Sequence, residues 1–188
     1  VYDGSWNLLR TVAMVPDEVR ALVDYCDERS LPLWLVSEQR SRFNYHFNDR
    51  VPVVMAEIHT EIPERCDLHT MLQEPVVKAV MFLTAQEVRE GPLSFMPHAR
   101  STQWFIHGQD IIPAEGGKLP AMRFMAEANG STPDELMAFG DSENDNEMLR
   151  YAGTGVAMGN ALEETKAASD YVTDDCDDEG VALSLIHI

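Results

Sequence analysis

Asp141 and Asp145 bracket the turn in Phe139-Gly140-Asp141-Ser142-Glu143-Asn144-Asp145. The apolar run Leu136-Met137-Ala138-Phe139 reads as a brief buried strand, and a carboxylate just past the carboxyl end of a parallel strand points into the crevice where such sheets bind ligands. Glu143 and Glu147 add negative charge nearby. Crowded carboxylates are unfavourable unless a cation sits among them or water solvates them. A hard dication with oxygen ligands, Mg²⁺, suits the set. Gly-Asp after a strand also fits an ordinary turn and helix N-cap. Lys118 follows Gly116-Gly117 at the mouth of the preceding helix. A lysine there can reach a phosphoryl oxygen and neutralise developing charge; a solvated surface lysine is the plain alternative.

The elements that must hold these groups can be read from periodicity. Lys118 to Asn129 is expected to be helical, with Ala121, Phe124, Met125 and Ala128 on one face and Gly130 as its C-cap. Asn144 to Tyr151 reads as a helix, Gly155 to Met158 as a strand, Ala161 to Ala168 as a helix and Tyr171 to Thr173 as a strand. Alternation with short links predicts a parallel sheet covered by helices. Upstream the rhythm differs. Strands are expected at 8–14, 33–36, 76–83, 94–96 and 103–106, a helix from Pro16 with Val19, Leu22, Val23 and Cys26 on its buried face, a polar helix at 40–50 and a loop-rich stretch at 57–75. Strands and helices without βαβ alternation suggest an α+β unit, with a boundary near 111–116.

Composition narrows the function classes. Against 14 Lys and Arg stand 32 Asp and Glu, a net charge of −18, which argues against nucleic acid as a partner. No apolar run is long enough to span a bilayer. Cys26, Cys66 and Cys176 are odd in number and far apart, as expected of reduced thiols in a cytoplasmic protein. His59, Cys66 and His69 fit no common zinc spacing. The acidic run 174–179 reads as a solvated loop.

From Ile111 to Ala182 the chain resembles the Cof-type (class IIB) haloacid dehalogenase-like phosphatases. The resemblance lies in Ile-Ile-Pro-Ala-Glu-Gly-Gly-Lys ending at Lys118, in Phe-Gly-Asp-Ser-Glu-Asn-Asp-Asn-Glu-Met-Leu around Asp141, in Gly155-Val156-Ala157-Met158-Gly159-Asn160-Ala161, and in Tyr171-Val172-Thr173 with Asp178-Glu179-Gly180-Val181-Ala182. Residues 1–110 resemble that family's C2-type cap more loosely, at 76–83 and Pro97-His98-Ala99-Arg100-Ser101-Thr102. The resemblance implies an α/β fold: a C2-type α+β cap over 1–112 and the C-terminal half of a Rossmannoid parallel-sheet core over 113–182. It further implies Mg²⁺ as cofactor and a small phosphorylated metabolite, such as a sugar phosphate, as substrate, cleaved through an aspartyl-phosphate. Lys118 would hold the phosphate, Asn144 would hydrogen-bond it, Asp141 would ligate the metal, and Asp145 would support the metal or Lys118. Arg100, Trp104, His107 and Gln109 are possible specificity residues in the cap, or its core and rim.

The family's Asp-x-Asp-Gly-Thr segment, source of the nucleophile, is not among these 188 residues. The chain is therefore expected to be N-terminally truncated and inactive alone. Asp3-Gly4-Ser5 is read as a turn, and Ser37 as part of the cap rather than the family's Ser/Thr motif. Residues 183–188 are expected to be a non-native tail. Two other readings stay open: a non-catalytic metal- and phosphate-binding protein, and a receiver-like phospho-aspartate module, although a receiver carries its lysine after the acidic cluster.

Overall fold

The computed structural model describes residues 1–187; Ile188, the end of the expected tail, lies outside them. The chain forms two compact units that part between Gly116 and Gly117. No helix among the described residues is long and apolar enough to cross a membrane.

The first unit opens with α1 (Pro16–Glu28). Pro16 presets the first-turn dihedral and Asp17 and Glu18 face the positive end of the helix dipole. Val19, Leu22, Val23 and Cys26 are buried as their spacing requires. The strands are β1 (Leu33–Ser37), β2 (Ser41–Phe43), β3 (Val76–Met81), β4 (Ala99–Phe105) and β5 (Gly108–Pro113), with α2 (Arg50–Glu57) after β2 and α3 (Ala85–Glu90) after β3. They form one sheet in the order β2-β1-β3-β5-β4, antiparallel throughout.

Three local expectations fail here. Residues 8–14 form no strand: Leu8 makes one isolated bridge with Tyr2, and Met14 instead donates its N–H to the Val76 carbonyl at 2.8 Å. Residues 40–50 are not a helix. Ser37 accepts the Gln39 and Arg40 N–H groups, the chain reverses, and Ser41–Phe43 pairs back on β1 with Phe43 buried opposite Trp34. Strand pairing outweighs the local preference, and the helix begins at Arg50. Residues 94–96 end a 3-10 turn over Pro92–Phe95, opened by its proline.

Histidines from three segments reach acidic residues of α1: His98 Nδ1 to Glu18 at 2.7 Å, His69 Nε2 to Asp24 at 2.8 Å and His46 Nε2 to Asp27 at 3.0 Å. His69 also places Nδ1 2.8 Å from Asp67. Carboxylates only accept, so both ring nitrogens of His69 must carry protons. Asp24 first, then Asp67, hold its pKa above the usual 6.5. Because the folded value is raised, the stabilisation is complete below pH 6.5 and is lost as pH rises through the folded pKa. The His69 ring should titrate by NMR above 6.5 and fall back toward it in Asp24→Asn; an unchanged midpoint in the variant contradicts the clasp.

The second unit contains α4 (Lys118–Asn129), β6 (Met137–Gly140), α5 (Asn146–Tyr151), β7 (Thr154–Ala157), α6 (Glu163–Lys166), β8 (Tyr171–Val172) and α7 (Gly180–His187). Its three strands run parallel in the order β6-β7-β8, joined by helical crossovers as parallel strands demand. Gly130 ends α4 in the left-handed conformation, φ 69°. Within α4 it is Ala126 that is buried; Ala121, Phe124 and Met125 are half-buried and Ala128 is exposed. Ala138, Leu149 and Ala152 form the core between sheet and α5, with Met122, Leu136 and Met148 against them. Residues 183–187 of the expected tail lie within α7.

Candidate active site

The groups singled out in sequence converge at the carboxyl end of β6. The strand stops at Gly140, Asp141 stands just beyond it, and a 3-10 turn over Glu143–Asp145 leads into α5. The Asp141 carbonyl accepts the Leu162 N–H at 3.2 Å and the Gly140 carbonyl accepts the Met158 N–H at 2.9 Å, so the turn is fixed from its backbone.

Lys118 is the first residue of α4. Gly117 before it has φ 114°, a conformation that glycine takes without a side-chain clash. The Lys118 Nζ lies 2.5 Å from Asp145 Oδ1 and 3.3 Å from Asn144 Oδ1. Asp145 is 2% exposed, so its charge needs compensation on all sides. It receives it: Lys118 donates to Oδ1, and the Asp141 and Ser142 N–H groups donate to Oδ2 at 3.1 and 3.4 Å. Gly140 makes room for this packing, because a Cβ there would stand 2.3 Å from the Asp145 Cβ.

The structure thus brings Lys118, Asn144 and Asp145 into contact and joins Asp141 to them through its backbone. Expected either to ligate a metal or to support Lys118, Asp145 here spends its carboxylate on Lys118 and on two backbone donors. Asp141 is different. Its side chain is exposed, and among the described residues no donor reaches its carboxylate. A carboxylate at a strand end, with no donor among the described residues, offers an oxygen of the kind Mg²⁺ takes. The residues present fit a magnesium ion to that extent. Glu143 and Glu147 are exposed at the rim.

Sequence reasoning missed Ser142. Its hydroxyl lies 2.8 Å from Asn144 Oδ1. A small hydroxyl two residues before an asparagine in a tight turn was the available signal.

Other expectations resolve within each unit. The Asp3 carboxylate accepts the Ser5 and Asn7 N–H groups and the Asn7 side chain, which makes it a turn residue. Ser37 Oγ, at the end of β1, donates to Glu74 at 2.8 Å within the first unit. Both His69 nitrogens face carboxylates, and Cys66 Sγ faces Thr70 Oγ1 at 3.7 Å. Trp104 donates its indole N–H to Asp110 at 3.0 Å, Arg100 reaches the Gly116 carbonyl at 3.1 Å, Gln109 is wholly buried, and the buried His107 Nδ1 has no partner among the described residues. Asp175, Cys176 and Asp177 bring three ligand-type atoms together on the surface. There the Asp175 carboxylate accepts the Cys176 S–H at 3.2 Å and raises the thiol's pKa.

A family model for haloacid dehalogenase-like hydrolases matches residues 1–185. YkrA of Bacillus subtilis strain 168 is 29% identical over 167 residues, which are 89% of this chain and 64% of YkrA. The 5-amino-6-(5-phospho-D-ribitylamino)uracil phosphatase YitU of the same organism is 26% identical over 191 residues, 97% of this chain and 69% of its own. The solved structure of BT4131, a HAD subclass IIB sugar phosphatase, superposes with a TM-score of 0.81 at 28% identity, covering 93% of this chain and 67% of that one. Against YkrA, then, the chain spans less than two thirds of a relative's length.

Proposed function

This chain belongs to the haloacid dehalogenase-like hydrolases, and from that premise we propose that the full-length protein is a cytoplasmic, Mg²⁺-dependent phosphatase of small phosphorylated metabolites, sugar phosphates among them. The observation that carries the reading is the 2.5 Å contact between the Lys118 ammonium and the buried Asp145, whose other oxygen takes the Asp141 N–H. One carboxylate thereby fixes both the cation that would meet a phosphoryl group and the turn that presents the candidate metal ligand.

Each residue then has a role. Asp141 holds the metal, which when bound polarises the phosphoryl oxygens. Lys118 spends two of its three N–H donors on Asp145 and Asn144 and keeps the third for a phosphoryl oxygen. Its charge is in place before the transition state forms, so little reorganisation is needed at the moment of reaction. Asp145 keeps that ammonium from swinging into solvent. The first unit, through Gly116 and so a few residues longer than the 1–112 expected, acts as the cap, and the second unit, from Gly117, as part of the catalytic core.

The attacking carboxylate comes from an Asp-x-Asp-Gly-Thr segment, absent from these 188 residues. It displaces the substrate's alcohol from phosphorus and gives an aspartyl-phosphate, which water then cleaves. The test is hydrolysis of p-nitrophenyl phosphate. The full-length protein should turn over with Mg²⁺ and stop with excess EDTA, and the 188-residue chain should stay at blank rate. Turnover by the chain alone would place the nucleophile within it and refute this assignment. The receiver alternative is disfavoured because Lys118 precedes the acidic turn.

A further inference from the structure

Asn144 has a carboxamide whose two ends do opposite things to an anion: its N–H groups attract a phosphoryl oxygen, and its carbonyl oxygen repels one. Which end faces the site is therefore a chemical question. Two contacts answer it. The Lys118 ammonium, which can only donate, lies 3.3 Å from Asn144 Oδ1, so the atom there must be the acceptor. The Ser142 hydroxyl lies 2.8 Å from the same oxygen. Both lone pairs of Oδ1 are thus spoken for, and among the described residues the Asn144 Nδ2 has no partner. Asn144 is half-buried, which leaves it reachable by a small ligand.

We infer that Ser142 is a positioning residue for phosphoryl binding: its hydroxyl, together with Lys118, locks the Asn144 carboxamide so that both of its N–H groups face the incoming oxyanion. This inference rests on the phosphatase reading above and deepens it. Free Asn144 N–H groups and the third Lys118 N–H give three donors for the oxygens of one phosphoryl group. Without the Ser142 hydroxyl, only the longer contact to Lys118 opposes rotation of the carboxamide. Asn144 then spends part of its time presenting oxygen to oxygen. The loss should fall on the transition state, where oxyanion charge is best met by preorganised donors.

The test is a double-mutant cycle in the full-length protein, with p-nitrophenyl phosphate and Mg²⁺. Ser142→Ala should lower kcat about tenfold, the lower end for loss of a supporting hydrogen bond at a site. Ser142→Thr, which keeps the hydroxyl, should restore most of the rate. In an Asn144→Ala background, Ser142→Ala should cost nothing more, because the two residues act as one unit. A merely structural role would instead persist in that background and appear as lower thermal stability. Wild-type rates in Ser142→Ala, or additive losses in the double variant, overturn the inference while the phosphatase reading stands. A wild-type protein without Mg²⁺-dependent turnover overturns both.

Discussion

Asp141→Ala in the full-length protein is expected to abolish Mg²⁺-dependent hydrolysis of p-nitrophenyl phosphate and to leave the fold intact. Both halves follow from the surroundings of Asp141. Its side chain is exposed and, among the described residues, makes no hydrogen bond or ion pair. Removing such a group changes stability by no more than about 0.5 kcal/mol. Its backbone does the structural work, through the N–H given to Asp145 and the carbonyl that accepts Leu162, and alanine keeps both. What is lost is one carboxylate oxygen for a dication that prefers oxygen ligands. Activity and thermal stability should therefore separate. An enzyme that keeps more than a tenth of its rate, or one that loses rate only because it unfolds, contradicts the metal role.

Lys118→Ala has the second-largest expected effect, and here activity and stability fall together. Loss of a preorganised charge stabiliser lowers kcat by about 10²- to 10³-fold. The same change leaves Asp145 buried at 2% exposure with its Oδ1 unpaired. Breaking a buried ion pair from one side costs roughly 3–5 kcal/mol. The Lys118 side chain is 48% exposed, so solvent screens the pair and the cost should fall below that range. Lys118→Arg should not restore the rate, since a planar fork cannot replace a point charge aimed at two acceptors. Steady-state kinetics with a thermal melt of each variant measures both effects. A loss under threefold in kcat would return Lys118 to the solvated surface.

Much of the second unit was legible because its signals are local. Gly130 at the end of α4, the alternation from Leu136 to Val172 and the carboxylate after a short apolar strand each depend on neighbours in sequence. The hold of Asp145 on Lys118 was visible only as one of two options, because 27 residues separate them and only the fold decides which partner wins. Ser142 was passed over for the same reason. Its contact with Asn144 exists because the backbone of the turn is fixed by Gly140 and Asp145, which a hydroxyl two residues before an asparagine signals only weakly. The first unit was less readable. Its sheet is assembled from distant strands, with β1 between β2 and β3 and β5 between β3 and β4. Ser41 and Arg42, with the buried Phe43, became a strand because β1 offered an edge, and the run at 8–14 found none. Pairing partners far along the chain settle such segments.

The central claim is that a dication at Asp141 and the ammonium of Lys118 together hold one phosphoryl group. A crystal structure of the full-length protein with Mg²⁺ and orthovanadate tests it most directly. The expected result is a metal about 2.1 Å from an Asp141 carboxylate oxygen, with a vanadate oxygen in hydrogen-bond reach of Lys118 and Asn144. A metal seated at Asp175 and Asp177 instead, or vanadate bound away from Lys118, would contradict the account.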